Sequence, residues 1–253
     1  MQLKGIIMKN MLIEPKYQGI VFDLDGTLIN SLADLIDSLN IVMEYYDLPP
    51  KTYEEGKKLI GRGLRNLVKR ALPRKLSQID SIVDEALQIM LDEYSKRRTN
   101  KTRPYENVQF LLDYMNNHEI PIGVCSNKED LLANQIVREL FPNTAFELVL
   151  GQKEDEYRKP DPTPALKVAG ALGLPPDQCL YLGDSVIDYQ TAKNAGMLPV
   201  LCTWGYTKAD QLMQFEDAIW IKNPIRAIDA LKYGRDMYRI FQEDEKKVIQ
   251  GEE

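Results

Sequence analysis

The sequence predicts an α/β protein: a doubly wound parallel sheet with a small helical domain inserted after its first strand. Three observations carry this. Short apolar runs at 20–22, 120–125, 146–150, 178–182 and 198–202 are bounded by turn residues and have the length of strands buried on both faces. From Tyr105 onward such runs alternate with segments of helical period, the pattern of parallel strands joined by crossover helices. Between about 33 and 102 only helical periods occur, so this stretch interrupts the alternation.

The first strand, Ile20-Val21-Phe22, runs into Asp23 and Asp25. Strand side chains alternate, so these two acids project to the same side, about 6.6 Å apart by strand rise. Gly26 permits the turn that follows. Leu35, Leu39, Val42, Met43 and Tyr46 then fall at helical spacing, and Pro49-Pro50 closes that helix. Gly61 and Gly63 mark a loop, 64–72 a helix, and Ile79, Val83, Ala86, Leu87, Met90 and Tyr94 a long amphipathic helix. Beyond Pro104 the order is helix 108–116, strand 120–125 ending at Ser126-Asn127-Lys128, helix 131–140 and strand 146–150. A polar loop, 151–162, carries Lys159-Pro160. Helix 164–172 is capped by Gly173, and strand 178–182 ends at Gly183-Asp184-Ser185. Helix 189–194, strand 198–202, a short strand 218–221 and helix 225–232 complete the core. The domain reading is a discontinuous core (17–32 and 103–233), a helical insert (33–102) and a charged tail (234–253) of weak helical period. Residues 1–16 read as a loose leader in which Met1, Met8 and Met11 are all candidate starts.

The 253 residues include 32 Lys and Arg against 38 Asp and Glu, a formal net charge of −6. That balance argues against a general nucleic-acid surface, and an acidic protein that handles an anion has to gather positive charge locally. No apolar run approaches the roughly 20 residues of a membrane helix, and the N-terminus is too short and polar for a signal peptide. Cys125, Cys179 and Cys202 lie in or beside apolar runs without a close pair, which reads as reduced buried thiols in a cytoplasmic protein. The single histidine, His118, reads as a surface residue at a helix end, so a multi-histidine metal site is excluded and acid–base work falls to carboxylates.

Acids, a hydroxyl and an amine thus stand at separate strand and loop ends: Asp23 and Asp25, Ser126, Lys159, and Asp184 with Asp188 one helical turn on. Clustered carboxylates repel one another unless a cation sits among them. Oxygen ligands without histidine or thiolate favour Mg²⁺. Magnesium beside a lysine and a hydroxyl makes a phosphate site. Asp23, first out of the strand, is the candidate nucleophile and Asp25 the candidate acid/base, with Ser126 and backbone N–H groups on phosphoryl oxygens and Lys159 offsetting their charge. In the insert, Gly61-Arg62-Gly63-Leu64-Arg65 allows close approach, and Arg62 or Arg65 can pair with a second anion. Lys128 reads as a solvated helix-start residue, Asn127 as a backbone donor, and Ser185 as an N-cap or a ligand contact. Cys202, Trp204 and Tyr206 read as packing, and Glu154, Asp155 and Glu156 as a solvated loop face.

The segments Asp23-Leu24-Asp25-Gly26-Thr27-Leu28, Ser126-Asn127-Lys128, Lys159-Pro160 and Gly183-Asp184-Ser185-Val186-Ile187-Asp188, in this order, resemble the four motifs of the haloacid dehalogenase superfamily, and specifically its phosphoglycolate phosphatase-like branch. The resemblance runs from about residue 17 to 215, and the insert matches the small cap this branch carries after its first strand. It implies a Rossmann-like, haloacid dehalogenase-like fold. It also implies roles: Asp23 as nucleophile and magnesium ligand, Asp25 as acid/base with its backbone carbonyl on the metal, and Ser126, Asn127 and Lys159 around the phosphate. Asp184 would bind magnesium, Asp188 would support it directly or through water, and Gly61, Arg62 and Arg65 would contact substrate from the cap. Thr27 fits the phosphatases better than the sugar-phosphate mutases, which often have valine there. The expected activity is Mg²⁺-dependent hydrolysis of a small phosphorylated metabolite through an aspartyl-phosphate, phosphoglycolate being the leading substrate, with neither nucleic acid nor membrane as partner. A phosphosugar mutase of the same superfamily is the alternative. A non-catalytic phospho-accepting signalling module is a further one, against which the insert and Asp25 both argue.

Overall fold

A computed structural model describes residues 15–61, 63–153 and 157–235. Met1, Met8 and Met11, Arg62, the acids Glu154, Asp155 and Glu156, and the tail beyond 235 lie outside the described residues. The chain enters at β1 (Gly19–Phe22), buried throughout, and passes through a two-residue strand β2 (Ile29–Asn30). Five helices follow: α1 (Leu32–Tyr45), α2 (Tyr53–Lys57), α3 (Leu64–Ala71), α4 (Arg74–Ser77) and α5 (Asp80–Arg97). The chain returns through β3 (Arg103–Pro104), antiparallel to β2. Then come α6 (Val108–Asn117), β4 (Ile122–Glu129), α7 (Asp130–Leu140), β5 (Leu148–Gln152), α8 (Thr163–Ala171) and β6 (Cys179–Gly183). After these follow α9 (Val186–Ala195), β7 (Leu198–Cys202), α10 (Ala209–Met213), β8 (Ile219–Ile221) and helix α11 at 226–235.

The parallel sheet has the order β5-β4-β1-β6-β7-β8. Ile20 and Phe22 turn to one core face and Val21 to the other, which is why β1 reads as a continuous apolar run. Later strands depart from β1 in both directions, β4 and β5 one way and β6 to β8 the other. The carboxyl ends of β1, β4 and β6 therefore meet at the switch point where open α/β sheets bind ligands.

The helical insert packs on itself and on the core. Leu35, Leu39, Val42 and Met43 of α1 and Val83, Ala86, Met90 and Tyr94 of α5 are all buried in one apolar cluster. Its exit is tied to its entry by Asp34, whose carboxylate accepts the Thr102 N–H and hydroxyl, both at 2.7 Å, and the Lys101 N–H at 2.9 Å. Asp34 is buried, so Asp34→Ala leaves those donors without a partner. It is expected to cost about 3 kcal/mol of stability, measured by urea unfolding.

Several features differ from the sequence reading, the short helices α4 and α10 among them. Strand β4 runs on through Ser126-Asn127-Lys128 to Glu129, with an irregularity in its register against β5 between Cys125 and Glu129. The polar stretch after Pro50 contains α2, opened by a capping box in which Thr52 and Glu55 satisfy each other's backbone N–H groups. The β2–β3 pair is too short to leave a periodic signal. No helix among the described residues is long and apolar enough to cross a membrane. The three cysteines are free and buried.

Candidate active site

Asp23 is the first residue past β1. Its N–H still donates to the Leu182 carbonyl of β6 at 2.8 Å, so the sheet ladder fixes its backbone. Its Oδ1 accepts from Lys159 Nζ at 2.6 Å, and the same nitrogen donates to Asp188 Oδ1 at 2.7 Å. Lys159 is held through its own peptide: Asn127 Oδ1 accepts the Lys159 N–H at 2.9 Å and Asn127 Nδ2 donates to the Lys159 carbonyl at 3.1 Å. The sequence reads Asn127 as a backbone donor; its side chain is a brace that aims the lysine.

Asp184 ends β6, and its Oδ2 accepts the Tyr206 N–H at 2.6 Å. Two glycines make room for it. A Cβ on Gly205 would stand 2.3 Å from Asp184 Cβ, and one on Gly26, whose φ is +91°, 2.5 Å from Asp184 Oδ2. Asp188 lies in the first turn of α9, where Ser185 is the N-cap. The Ser185 N–H and hydroxyl donate to Asp188 Oδ2 at 3.0 and 2.6 Å, and Ser185 Oγ accepts the Asp188 N–H at 3.3 Å.

Asp23, Asp184 and Asp188 each present a carboxylate oxygen within 4.8 Å of the others, and all three are buried. Burial is the main reason Asp23 is pushed up to about 7, with the Asp188 charge adding and the Lys159 charge opposing. Burial, then the charge of Asp188, likewise holds Asp184 well above the usual carboxylate range. Among the described residues a single ammonium, that of Lys159, contacts this group of three acids. An all-oxygen donor set of this charge and spacing fits a hard divalent cation.

The Asp25 carboxylate faces elsewhere. Its Oδ2 lies 3.0 Å from Lys128 Nζ, and its Oδ1 accepts the Ser31 hydroxyl. A cavity of about 750 Å³ lies over these groups, lined on the core side by Asp23, Asp25, Ser126 and Lys159 and on the cap side by Ile60, Gly61, Gly63 and Leu64. Ser126 is buried at its wall.

Residues 20–201 match the family model described as haloacid dehalogenase-like hydrolase. The chain belongs to this family. A phosphoglycolate phosphatase of Rhodospirillum rubrum is 34% identical over 196 residues, 76% of this chain and 81% of that one. One from Psychrobacter arcticus is 31% identical over 217 residues, 84% of this chain and 91% of that one. Among solved structures, a candidate phosphoglycolate phosphatase from Lactobacillus delbrueckii subsp. bulgaricus superposes with a TM-score of 0.77 at 27% identity, covering 86% of this chain and 99% of that one.

In this haloacid dehalogenase-like hydrolase three residues besides Asn127 differ from their sequence reading. Lys128 is buried, not solvated: it is paired with Asp25 and donates to the Tyr94 hydroxyl at 2.9 Å. Burial works against its charge, but Asp25 and Tyr94 outweigh that and hold its pKa above the usual lysine value. Arg65 does not line the cavity; its guanidinium is turned to Asp84 and to Asp80 on α5, because the first turn of α3 faces that helix. Tyr206 is more than packing, since it lines the cavity, its N–H holds Asp184 and its hydroxyl accepts the Ser31 N–H at 2.8 Å. Trp204 keeps its packing role, with Nε1 donating to the Thr27 carbonyl at 3.0 Å. Arg62 lies outside the described residues. The cap wall also carries Lys57 and Lys58, which helical periodicity does not single out.

Proposed function

We propose that this hydrolase cleaves a small phosphate monoester through an aspartyl-phosphate on Asp23, with Mg²⁺ as its metal and phosphoglycolate as its leading substrate. The observation that carries this is the position of Asp23: one carboxylate shares a 4.8 Å cluster with two other acids, contacts Lys159, and opens on the cavity. Two residues on, Asp25 opens on the same cavity but is held apart from the cluster. The named relatives support phosphoglycolate as substrate.

In the first step an Asp23 oxygen forms a bond to phosphorus while the bond to the ester oxygen breaks, and Asp25 gives that oxygen its proton. In the second step Asp25 takes a proton from a water molecule whose oxygen bonds to phosphorus, and the Asp23–phosphorus bond breaks to release phosphate. Ser126 donates to a phosphoryl oxygen and Lys159 offsets phosphoryl charge, as Asn127 holds its peptide in place. Asp23, Asp184 and the Asp25 carbonyl, with Asp188 directly or through water, would hold the magnesium ion, which when bound would supply positive charge against the phosphoryl oxygens. Residues 33–102 act as the cap that excludes bulk water, over a core of 17–32 and 103–233.

The test is phosphate release from phosphoglycolate, sugar phosphates, nucleotides and pyrophosphate with Mg²⁺ present. Preference for phosphoglycolate is expected. Isomerisation of a phosphosugar without phosphate release would move the assignment to a mutase, and no reaction with any compound would remove it. EDTA is expected to abolish release and excess Mg²⁺ to restore it; turnover that ignores EDTA would contradict the metal assignment.

A further inference from the structure

Lys128 takes no part in the chemistry above, yet among the described residues it is the most deeply buried cation beside the site, with a side chain 1% exposed. It joins three segments that are far apart in sequence. Lys128 stands near the end of β4, Asp25 follows β1, and Tyr94 belongs to α5 in the cap. Its ammonium lies 3.0 Å from Asp25 Oδ2, donates to the Tyr94 hydroxyl at 2.9 Å, and sits 4.6 Å from the centre of the Tyr94 ring. A buried ammonium has to be paired, and a buried tyrosine hydroxyl needs a partner, so each fixes the other.

From this geometry we infer that Lys128 is the positioning residue of Asp25, and that Tyr94 of the cap holds Lys128 in place to do it. An acid/base works only when aimed within hydrogen-bond reach of the oxygen it serves. Asp25 follows a strand end, and a carboxylate there turns freely unless both its oxygens are held. Lys128 holds Oδ2, and the Ser31 hydroxyl holds Oδ1. Ser31 is the residue before α1, so both restraints connect to the cap, one at its entry and one at its last long helix. The seating of the cap helices is thereby read out in the orientation of the Asp25 carboxylate.

This inference rests on the phosphatase reading, with Asp25 as the proton donor to the leaving oxygen. The test compares kcat/KM for phosphoglycolate, whose alkoxide needs that proton, with kcat/KM for 4-nitrophenyl phosphate, whose phenolate leaves without it. Lys128→Met is expected to lower the first by about 30-fold or more and the second by less than about 5-fold, general acid catalysis being worth roughly 10²- to 10⁴-fold. Tyr94→Phe keeps the buried ring and removes only the hydroxyl. It is expected to show the same selectivity at about 3- to 10-fold, and to add nothing when combined with Lys128→Met, because coupled residues are not additive. Equal losses on the two esters would overturn the inference and make Lys128 a phosphate ligand or a structural residue, as would full activity in both variants. If Lys128→Met does not fold, the ester selectivity of Tyr94→Phe decides alone. Failure of the unsubstituted protein on both esters would instead sink the phosphatase reading itself.

Discussion

Asp23→Asn is expected to lower phosphate release by at least about 10⁴-fold while the protein stays folded, because nucleophile removal is among the most damaging single changes an active site can suffer. The amide keeps the shape of the side chain and can still accept from Lys159 Nζ, which lies 2.6 Å from Oδ1. It cannot form the bond to phosphorus. Removing one negative charge from the buried group of Asp23, Asp184 and Asp188 also relieves repulsion. The unfolding midpoint of the variant is therefore expected to stay level or rise without added metal. Turnover within tenfold of the unsubstituted protein, measured as phosphate release under saturating substrate, would remove Asp23 as nucleophile. A loss of activity that tracks a loss of folded protein would make the result a stability effect.

The second large effect is a pH dependence of stability that reverses with metal. Asp23 is raised to about 7 in the folded protein, chiefly by burial and then by Asp188, against about 3.9 for an unfolded aspartate. Between those values the folded state binds more protons than the unfolded one, so stability falls as pH rises. The loss begins near pH 4 and is complete above about 7. Asp184 is raised in the same direction and for the same first cause, so it adds to the slope. With divalent cations stripped by EDTA, the protein is expected to be less stable at pH 8 than at pH 5, by a few kcal/mol from these groups. Added Mg²⁺ is expected to abolish or invert the slope, because a cation binds the ionised acids and stabilises the folded state by mass action. Urea unfolding at both pH values, with and without Mg²⁺, is the measurement. A slope of the opposite sign under EDTA would mean that burial does not raise Asp23 and Asp184 as described above.

The sequence alone determined the sheet and the order of its strands along the chain, because buried parallel strands leave short apolar runs and crossover helices leave a distinct period. It also placed Asp23 and Asp184 at strand ends, Lys159 in a loop and Asp188 one helical turn beyond Asp184, since an acid or amine after an apolar run is a local feature; Ser126, read as a strand end, lies inside β4. One helix cap was equally local: Gly173, read as the cap of helix 164–172, carries positive φ.

Tertiary structure decided which charged side chains face the site. Lys128 and Arg65 are both basic residues near turns, and nothing within a few positions of either shows its partner. Lys128 is paired through Asp25 and Tyr94, 103 and 34 positions away, which makes it a buried site residue. Arg65 turns to Asp84, 19 positions on, which takes it out of the cavity. Tyr206 reaches Ser31 over 175 positions and Asn127 reaches Lys159 over 32. Charge pairing and hydrogen bonding act over a few ångströms of space, whatever the separation along the chain. Periodicity reveals which face of an element is buried, but only the folded chain brings a lysine, a tyrosine and an aspartate from three elements to one point.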